Sequence, residues 1–263
     1  MAAIKAVGGN LIAALDPHDS VGILDSYFPD CHFFTEFERF DRHIYKLMAS
    51  GTKVDYVSIA SPNYLHSSHT AFALRIGADA ICEKPLVCNE HNLDALKRLE
   101  EETGGRVWNI LQLRLHPNLP SVDYDVGHLV NVDYCTPRGN WYKFSWKSDV
   151  QKSGGLATNI GIHMFDLLSH LFGPLISLRL GCKTDEVVSG AMLLLGARIN
   201  FRLSISMKDV PRRTLEINGE KIELSSNFGE LHTECYKRIL DGAGFGIEDT
   251  RDAIRICERI RNA

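Results

Sequence analysis

No two cysteines of this chain form a C-x-x-C pair, and their number is odd: Cys31, Cys82, Cys88, Cys135, Cys182, Cys235 and Cys257. That excludes a zinc ribbon and argues against a disulfide framework, so reduced thiols in a cytoplasmic protein are expected. A strong charge of either sign is also missing. With 29 Lys and Arg against 33 Asp and Glu, there is no basic footprint for nucleic acid. Long apolar runs are absent too. The longest weakly charged stretch, "GGLATNIGIHMFDLLSHLFGPLI", holds Asn159, His163, Asp166 and His170, a density of polar groups that does not suit a membrane span. The start lacks the charged-then-apolar order of a signal peptide. Internal repeats, low-complexity segments and Pro/Ser-rich linkers are not seen. The expectation is a soluble globular protein whose 263 residues make one large domain or two ordinary ones.

What is present falls into two halves of different period. In the first half, short β-rich runs alternate with helical patterns. "NLIAALDP", the start of "HFFTEFERF", "VDYVSIASP", "DAICEKP" and "RVWNILQLRL" read as strands. "SVGILDSYF", "FDRHIYKLMASG", "HSSHTAFALRIGA" and "NEHNLDALKRLEEETGG" read as helices, the last with Asn89 as its N-cap. This alternation predicts an α/β fold with a parallel, doubly wound sheet. After about His116 the strands lengthen and follow one another directly: "LVNVDYC", "LISLRLGC", "GAMLLLG" and "ARINFRLSISM". "RTLEINGEKIEL" predicts a hairpin centred on Asn218-Gly219, a dipeptide that supplies two positive φ angles. A mostly antiparallel sheet follows, interrupted by a helix over "NIGIHMFDLLSHLFG" and closed by "IEDTRDAIRICERIRN". The change of period places a domain boundary near residue 117, giving domains 1–117 and 118–263.

Two stretches carry chemistry. "ICEKPLVCNE" sets Glu83, Lys84 and Pro85 where a parallel strand ends, the side on which open α/β sheets bind ligands. Lys84 there is either a reacting group or a surface lysine of a strand-to-helix loop. "SGGLATNIGIHMFDLLSHLFG" spaces Asn159, His163 and Asp166 four and then three apart, so on a regular helix they share a face. That stripe is either functional or a core histidine beside a buried aspartate. Asp16, at the tip of a strand, either holds a ribose or initiates the turn into Pro17. His66 and His69 stand three apart on a helix, but no acidic or cysteine partner has ligand spacing, so a metal site is not expected.

Together, "EKP" and the "GG…NIGIHxxDxxxxLFG" run resemble the Gfo/Idh/MocA oxidoreductases over nearly the whole chain. "AALDPHDSVGILDSYFPD", "FFTEFERFDRH", "PRGNWYKFSWK", "SGGLATNIGIH" and "GFGIEDTRDAI" resemble its WlbA/WbpB-type branch, the UDP-N-acetyl-2-amino-2-deoxyglucuronate oxidases of bacterial polysaccharide biosynthesis. The resemblance implies a Rossmann-type domain, a C-terminal α/β domain with a large antiparallel sheet, and NAD-dependent oxidation of a sugar C3 hydroxyl. It places Lys84 and His163 at that hydroxyl as the catalytic pair. His163 has a suitable proton affinity unaided, whereas Lys84 needs its own lowered by burial. Cofactor contacts are expected from Asp16, Pro17, Ser61, Pro62, Asn63, His66, Glu83, Gln112 and Trp141. The acidic Asp16 favours NAD over NADP. The substrate, an anionic UDP-sugar, is expected at Arg114, His116, Arg138, Ser153 and Asn159, since Arg suits bidentate grips on carboxylate or phosphate. Trp141 and Tyr142 pack against cofactor or sugar, or are plain core. Further implications are recycling of the cofactor by 2-oxoglutarate and a homo-oligomer, dimer or tetramer, formed through a C-terminal sheet whose strands need cover on both faces.

In relatives a strand and a G-x-G-x-x-G-like turn precede the segment that here reads "AAIKAVGGN". The expectation is therefore a first helix entered part-way and a parallel sheet lacking its first strand. Neither Gly8-Gly9, which ends a helix, nor "DGAGFGIED", which follows one, supplies that turn. Two alternatives stand beside the oxidase reading. One is a sugar or polyol dehydrogenase of the same family. The other is a non-catalytic chain that binds a nucleotide sugar or a partner without NAD.

Overall fold

The first half alternates as its sequence period demands. A computed structural model describes residues 1–18, 22–123, 127–224 and 228–263. Along it run α1 (Ala2–Ala6), β1 (Ala13–Leu15), α2 (Ile23–Tyr27), β2 (His32–Phe34), α3 (Phe37–Ala49), β3 (Tyr56–Ile59), α4 (His66–Arg75), β4 (Asp79–Cys82), α5 (His91–Thr103) and β5 (Val107–Asn109). Among the described residues these strands pair in parallel and form two pieces: β1 with β2, and β3-β4-β5. α3 bridges them, since it packs on β1 and β2 while its Phe37 and Phe40 rings meet Phe72 of α4. The fifth strand is shorter than expected. At Ile110, whose N–H donates to the Cys82 carbonyl, the chain leaves the ladder and winds into a 3-10 turn over Gln112–Leu115.

Asn89 does not cap α5. The helix begins behind Glu90 without a side-chain cap. Asn89 Oδ1 instead accepts from Arg261 Nη2 at 2.5 Å, and the Glu90 carboxylate binds Arg255 and Arg251 of the last helix. These arginines compete for the side chains that would have served the helix start.

The second half contains β6 (His128–Cys135), α6 (Val150–Ser153), α7 (Ile162–Phe172), β7 (Leu175–Lys183), β8 (Val187–Leu194), β9 (Ala197–Ser204), β10 (Arg212–Ile217), β11 (Glu220–Glu223), α8 (Phe228–Leu240) and α9 (Arg251–Asn262). Among the described residues its six strands lie in the order β11-β10-β6-β9-β8-β7, antiparallel except for β6 with β9. Asn218 (φ 52°) and Gly219 (φ 89°) make the expected hairpin turn between β10 and β11.

Alternation in this sheet is stricter than the sequence reading assumed. Val188, Met192, Leu194, Ile199, Phe201 and Leu203 are all buried on one face, beneath α7, whose Phe165 ring meets Phe201 edge-on. The opposite face carries Asn131, Glu216 and Asn200 in side-chain hydrogen bonds and Asp133 ion-paired with Arg202 and Arg212. These polar pairs lie on β6, β9 and β10, while Leu129 of β6 and Ile176 of β7 stay exposed at 62% and 54%. Among the described residues no helix is long and apolar enough to cross a membrane.

Candidate active site

β4 is buried through Ala80, Ile81 and Cys82, and it delivers Glu83 and Lys84 to its carboxyl end, before a cis Lys84–Pro85 peptide. Lys84 is surrounded by protein, and its Nζ donates to the Asn159 carbonyl at 3.4 Å. Burial lowers its proton affinity to a pKa of about 8. The Glu83 carboxylate opposes that fall, while the nearby cations Lys147 and Arg138 reinforce it. An amine in such a setting is neutral in a far larger fraction near physiological pH than an ordinary lysine, though still mostly protonated there.

The facing wall is the Gly-Gly loop. Asp149 caps α6, accepting from the Gln151 N–H at 2.9 Å. Ser153 Oγ donates to the Asp149 carbonyl at 2.9 Å and accepts from the Gly155 N–H at 3.1 Å. Gly154 has φ of +79°, and a Cβ there would meet the Thr158 side chain at 2.7 Å, so this turn requires glycine. Next comes a π-helical stretch over Ala157–Gly161, leading into α7. Its wider turn breaks the regular spacing assumed for Asn159, His163 and Asp166. The three side chains do not act as one stripe. Asn159 Nδ2 donates to the Tyr142 hydroxyl at 3.0 Å, whereas Asp166 binds Arg114. His163 lies near Lys84. Burial first, and then the charges of Lys84, His232 and Arg213, push it well below the ordinary imidazole value. His163 is thus neutral at physiological pH. The sequence reading made it the ready base and Lys84 the one needing help; burial supplies that help to Lys84 and weakens His163.

Other expected residues differ in where they fall. Arg138 is half-buried, and its charge acts on Lys84 and on the Tyr142 hydroxyl. Trp141 is 52% exposed and meets Tyr142 edge-on. Gln112 is buried with its Oε1 unpartnered among the described residues, as is Asn109 Oδ1. Asp16 is half-buried at the end of β1, with Pro17 exposed after it. One Asp16 oxygen accepts from the His18 N–H at 2.9 Å, so the turn-initiating role is realised.

Several expected contacts are corrected. Arg114 was expected to grip substrate, but its side chain is only 5% exposed. Its Nε and Nη2 make a bidentate pair with Asp166 at 3.0 and 2.7 Å, Nη1 reaches Asp249 at 3.3 Å, and the guanidinium lies over the Phe245 ring. That fork is committed. His116 is 3% exposed, with Nδ1 accepting from the Asn118 N–H and Nε2 without a partner among the described residues. The His66 ring sits between the Pro85 and Ser61 carbonyls at 2.6 and 2.7 Å, clamping the loops after β3 and β4 instead of facing a cofactor. Ser61 Oγ meets His69 Nδ1 at 3.0 Å. Pro62 leads into a 3-10 turn over Asn63–Leu65, and Asn63 Nδ2 donates to the Ser153 carbonyl at 2.8 Å, tying that loop to the opposite wall. The Ser153 hydroxyl is likewise spent inside its own loop.

Sequence reasoning missed two residues. Lys147 acts on Lys84 and lies over the Trp141 and Trp146 rings at 5.6 and 5.7 Å. Its signal was the basic–aromatic alternation of "NWYKFSWK". His232 of α8 reaches Glu83, with 3.0 Å between Nε2 and Oε1. Nothing local announces that contact.

The chain matches two models of one oxidoreductase family, Gfo/Idh/MocA: its NAD-binding Rossmann fold over residues 4–110 and its C-terminal alpha/beta domain over residues 128–191. It is 45% identical to the WlbA (WbpB) dehydrogenase of Thermus thermophilus, solved in complex with NAD and alpha-ketoglutarate. That match has a TM-score of 0.95 and covers 99% of this chain and 89% of the other. A second structure of the Thermus protein, in complex with NAD and UDP-GlcNAcA, matches with a TM-score of 0.94, 45% identity and the same coverage. Among curated proteins, the 2,7-anhydro-N-acetylneuraminate hydratase of Mediterraneibacter gnavus is 29% identical over 63% of this chain and 43% of its own length. The putative UDP-kanosamine synthase oxidoreductase subunit of Amycolatopsis mediterranei is 27% identical over 59% and 45%. The chain spans about half the length of the curated relatives it matches.

Proposed function

Because the chain belongs to the Gfo/Idh/MocA oxidoreductase family, we propose that it oxidises the C3 hydroxyl of a UDP-N-acetylglucosaminuronate-type sugar to the 3-keto sugar, with NAD as acceptor. One observation carries the reading. A desolvated lysine, Lys84, whose Nζ donates to the Asn159 carbonyl at 3.4 Å, lies near a neutral histidine, His163, and near the cations Arg138 and Lys147. An uncharged base serves alcohol oxidation, and the two cations suit an anionic substrate. The 45% identical Thermus dehydrogenase, solved with UDP-GlcNAcA, supports the sugar class. Residues 1–117 then form the dinucleotide-binding part and 118–263 the substrate-binding part.

The residues present fit NAD. Asp16 at the end of β1 suits the adenosine ribose, and Ser61, Pro62 and Glu83 stand at the carboxyl ends of β3 and β4. The unpartnered oxygens of Asn109 and Gln112 are buried acceptors for a carboxamide or hydroxyl. Bound NAD supplies the hydride acceptor. Neutral Lys84 takes the hydroxyl proton as the C3–H bond breaks, and the Asn159 carbonyl accepts a hydrogen bond from the resulting ammonium. Neutral His163 holds the oxygen in line. Trp141 offers a face to the cofactor or the sugar.

Lys84 works only without its proton, so kcat/KM should rise with pH and level off above about 8. A pH profile flat through that value removes Lys84 as the base. The finer reading places the enzyme in the cytoplasm, in bacterial lipopolysaccharide or polysaccharide biosynthesis, as a homo-oligomer. It adds recycling of the cofactor by 2-oxoglutarate, supported by the alpha-ketoglutarate in the Thermus complex.

A further inference from the structure

Glu83 and His232 form a pair that proton transfer at Lys84 does not itself require, yet it adjoins the base. The Glu83 backbone is fixed, because its N–H donates to the Ile59 carbonyl at 2.9 Å and extends the β3–β4 ladder. Its Oε1 lies 3.0 Å from His232 Nε2, with both side chains about one-third exposed (30% and 34%). α8 cannot shift freely. Cys235 and Ile239 pack with Ile81, Trp108 and Ile110, and the Tyr236 hydroxyl meets Ser58 Oγ at 2.6 Å. His232 and Tyr236, one turn apart, therefore reach the ends of β4 and β3 from one anchored helix.

We propose that His232 is a positioning residue for Lys84, acting through Glu83: the α8 imidazole fixes the carboxylate of the residue next to the base. The inference rests on the reading of Lys84 as the base. The groups that act on the Lys84 charge are Glu83 beside it, Lys147 and Arg138 from the segment between β6 and α6, and the Cys257 thiol from α9. His163 of α7 senses Lys84 and His232 alike. Glu83 is the carboxylate in that set. Burial pushes Glu83 toward its protonated form, and His232 is the first of the influences that hold it ionised. Without the imidazole, the carboxylate takes a proton or swings away, and Lys84 is left among cations. Its proton affinity then falls further, and it becomes a weaker base.

The test is competitive labelling of Lys84 with trace acetic anhydride across pH, read by peptide mass spectrometry on the full chain without sugar. The wild-type midpoint is expected near 8. His232→Leu and Glu83→Gln should each lower it by about one unit, and the double variant no further than Glu83→Gln alone. His232→Gln, whose amide can still donate to Glu83, should restore most of the shift. A midpoint unmoved in His232→Leu, or a double variant displaced beyond Glu83→Gln, overturns the proposal. Should His232→Leu fail to fold, an unmoved midpoint in Glu83→Gln overturns it equally. Labelling involves no turnover, so its outcome is independent of whether the chain oxidises a UDP-sugar.

Discussion

Replacing Lys84 with methionine is expected to lower kcat by roughly 10²–10⁴-fold, the usual contribution of a positioned general base. Methionine keeps much of the length of the side chain and removes the cost of burying an ammonium, so the fold should be unharmed. KM should move little, because the proposed function assigns the charge of the anionic substrate to Arg138 and Lys147, not to Lys84. The limb of the pH profile near 8 should vanish with the amine. Steady-state kinetics with calorimetric titration of the UDP-sugar separates these effects. A variant that retains most of kcat would hand the proton to His163, whose burial then needs another explanation.

Arg114→Leu is expected to destabilise the protein by about 3–5 kcal/mol, the range for removing one partner of a buried ion pair. The Asp166 side chain is 3% exposed, and burial pushes its carboxyl up against the opposing pull of Arg114. With Arg114 gone, Asp166 must take a proton or remain a lone buried anion. The double variant Arg114→Leu/Asp166→Leu should recover much of the loss, since apolar side chains can replace a buried pair at little cost. Denaturant unfolding of the two single variants and the double variant measures this. If Arg114 gripped substrate instead, its loss would raise KM and leave the unfolding midpoint near that of the parent.

These two residues also mark what the sequence reveals and what it hides. The placement of Lys84 at the carboxyl end of β4 was legible because its setting is local: a strand signal ending just before it, and a second motif at a fixed distance. Arg114 was misread because its partners lie 52 and 135 residues away, so only its preference for anions was visible. The clamp that His66 makes on two backbone carbonyls was hidden for the same reason. Periodicity exposed the parallel and antiparallel halves and the Asn218-Gly219 hairpin. It could not distinguish a π turn from an α turn at Ala157–Gly161, because both bury their residues in the same apolar run. Nor does periodicity show that Glu90 and Asn89 answer to arginines of the last helix.

The proposed reaction removes hydrogen from C3 of a UDP-sugar and gives it to NAD. The most direct measurement mixes the purified protein with NAD and UDP-N-acetylglucosaminuronate carrying deuterium at C3. Near-ultraviolet absorbance follows reduction of the nicotinamide, and mass spectrometry locates the label. Expected are reduced nicotinamide carrying the deuterium, a 3-keto sugar, and a slower single turnover than with the unlabelled substrate. Saturable binding of NAD and the UDP-sugar with no reduction, or reduction with the label still on the sugar, would contradict it.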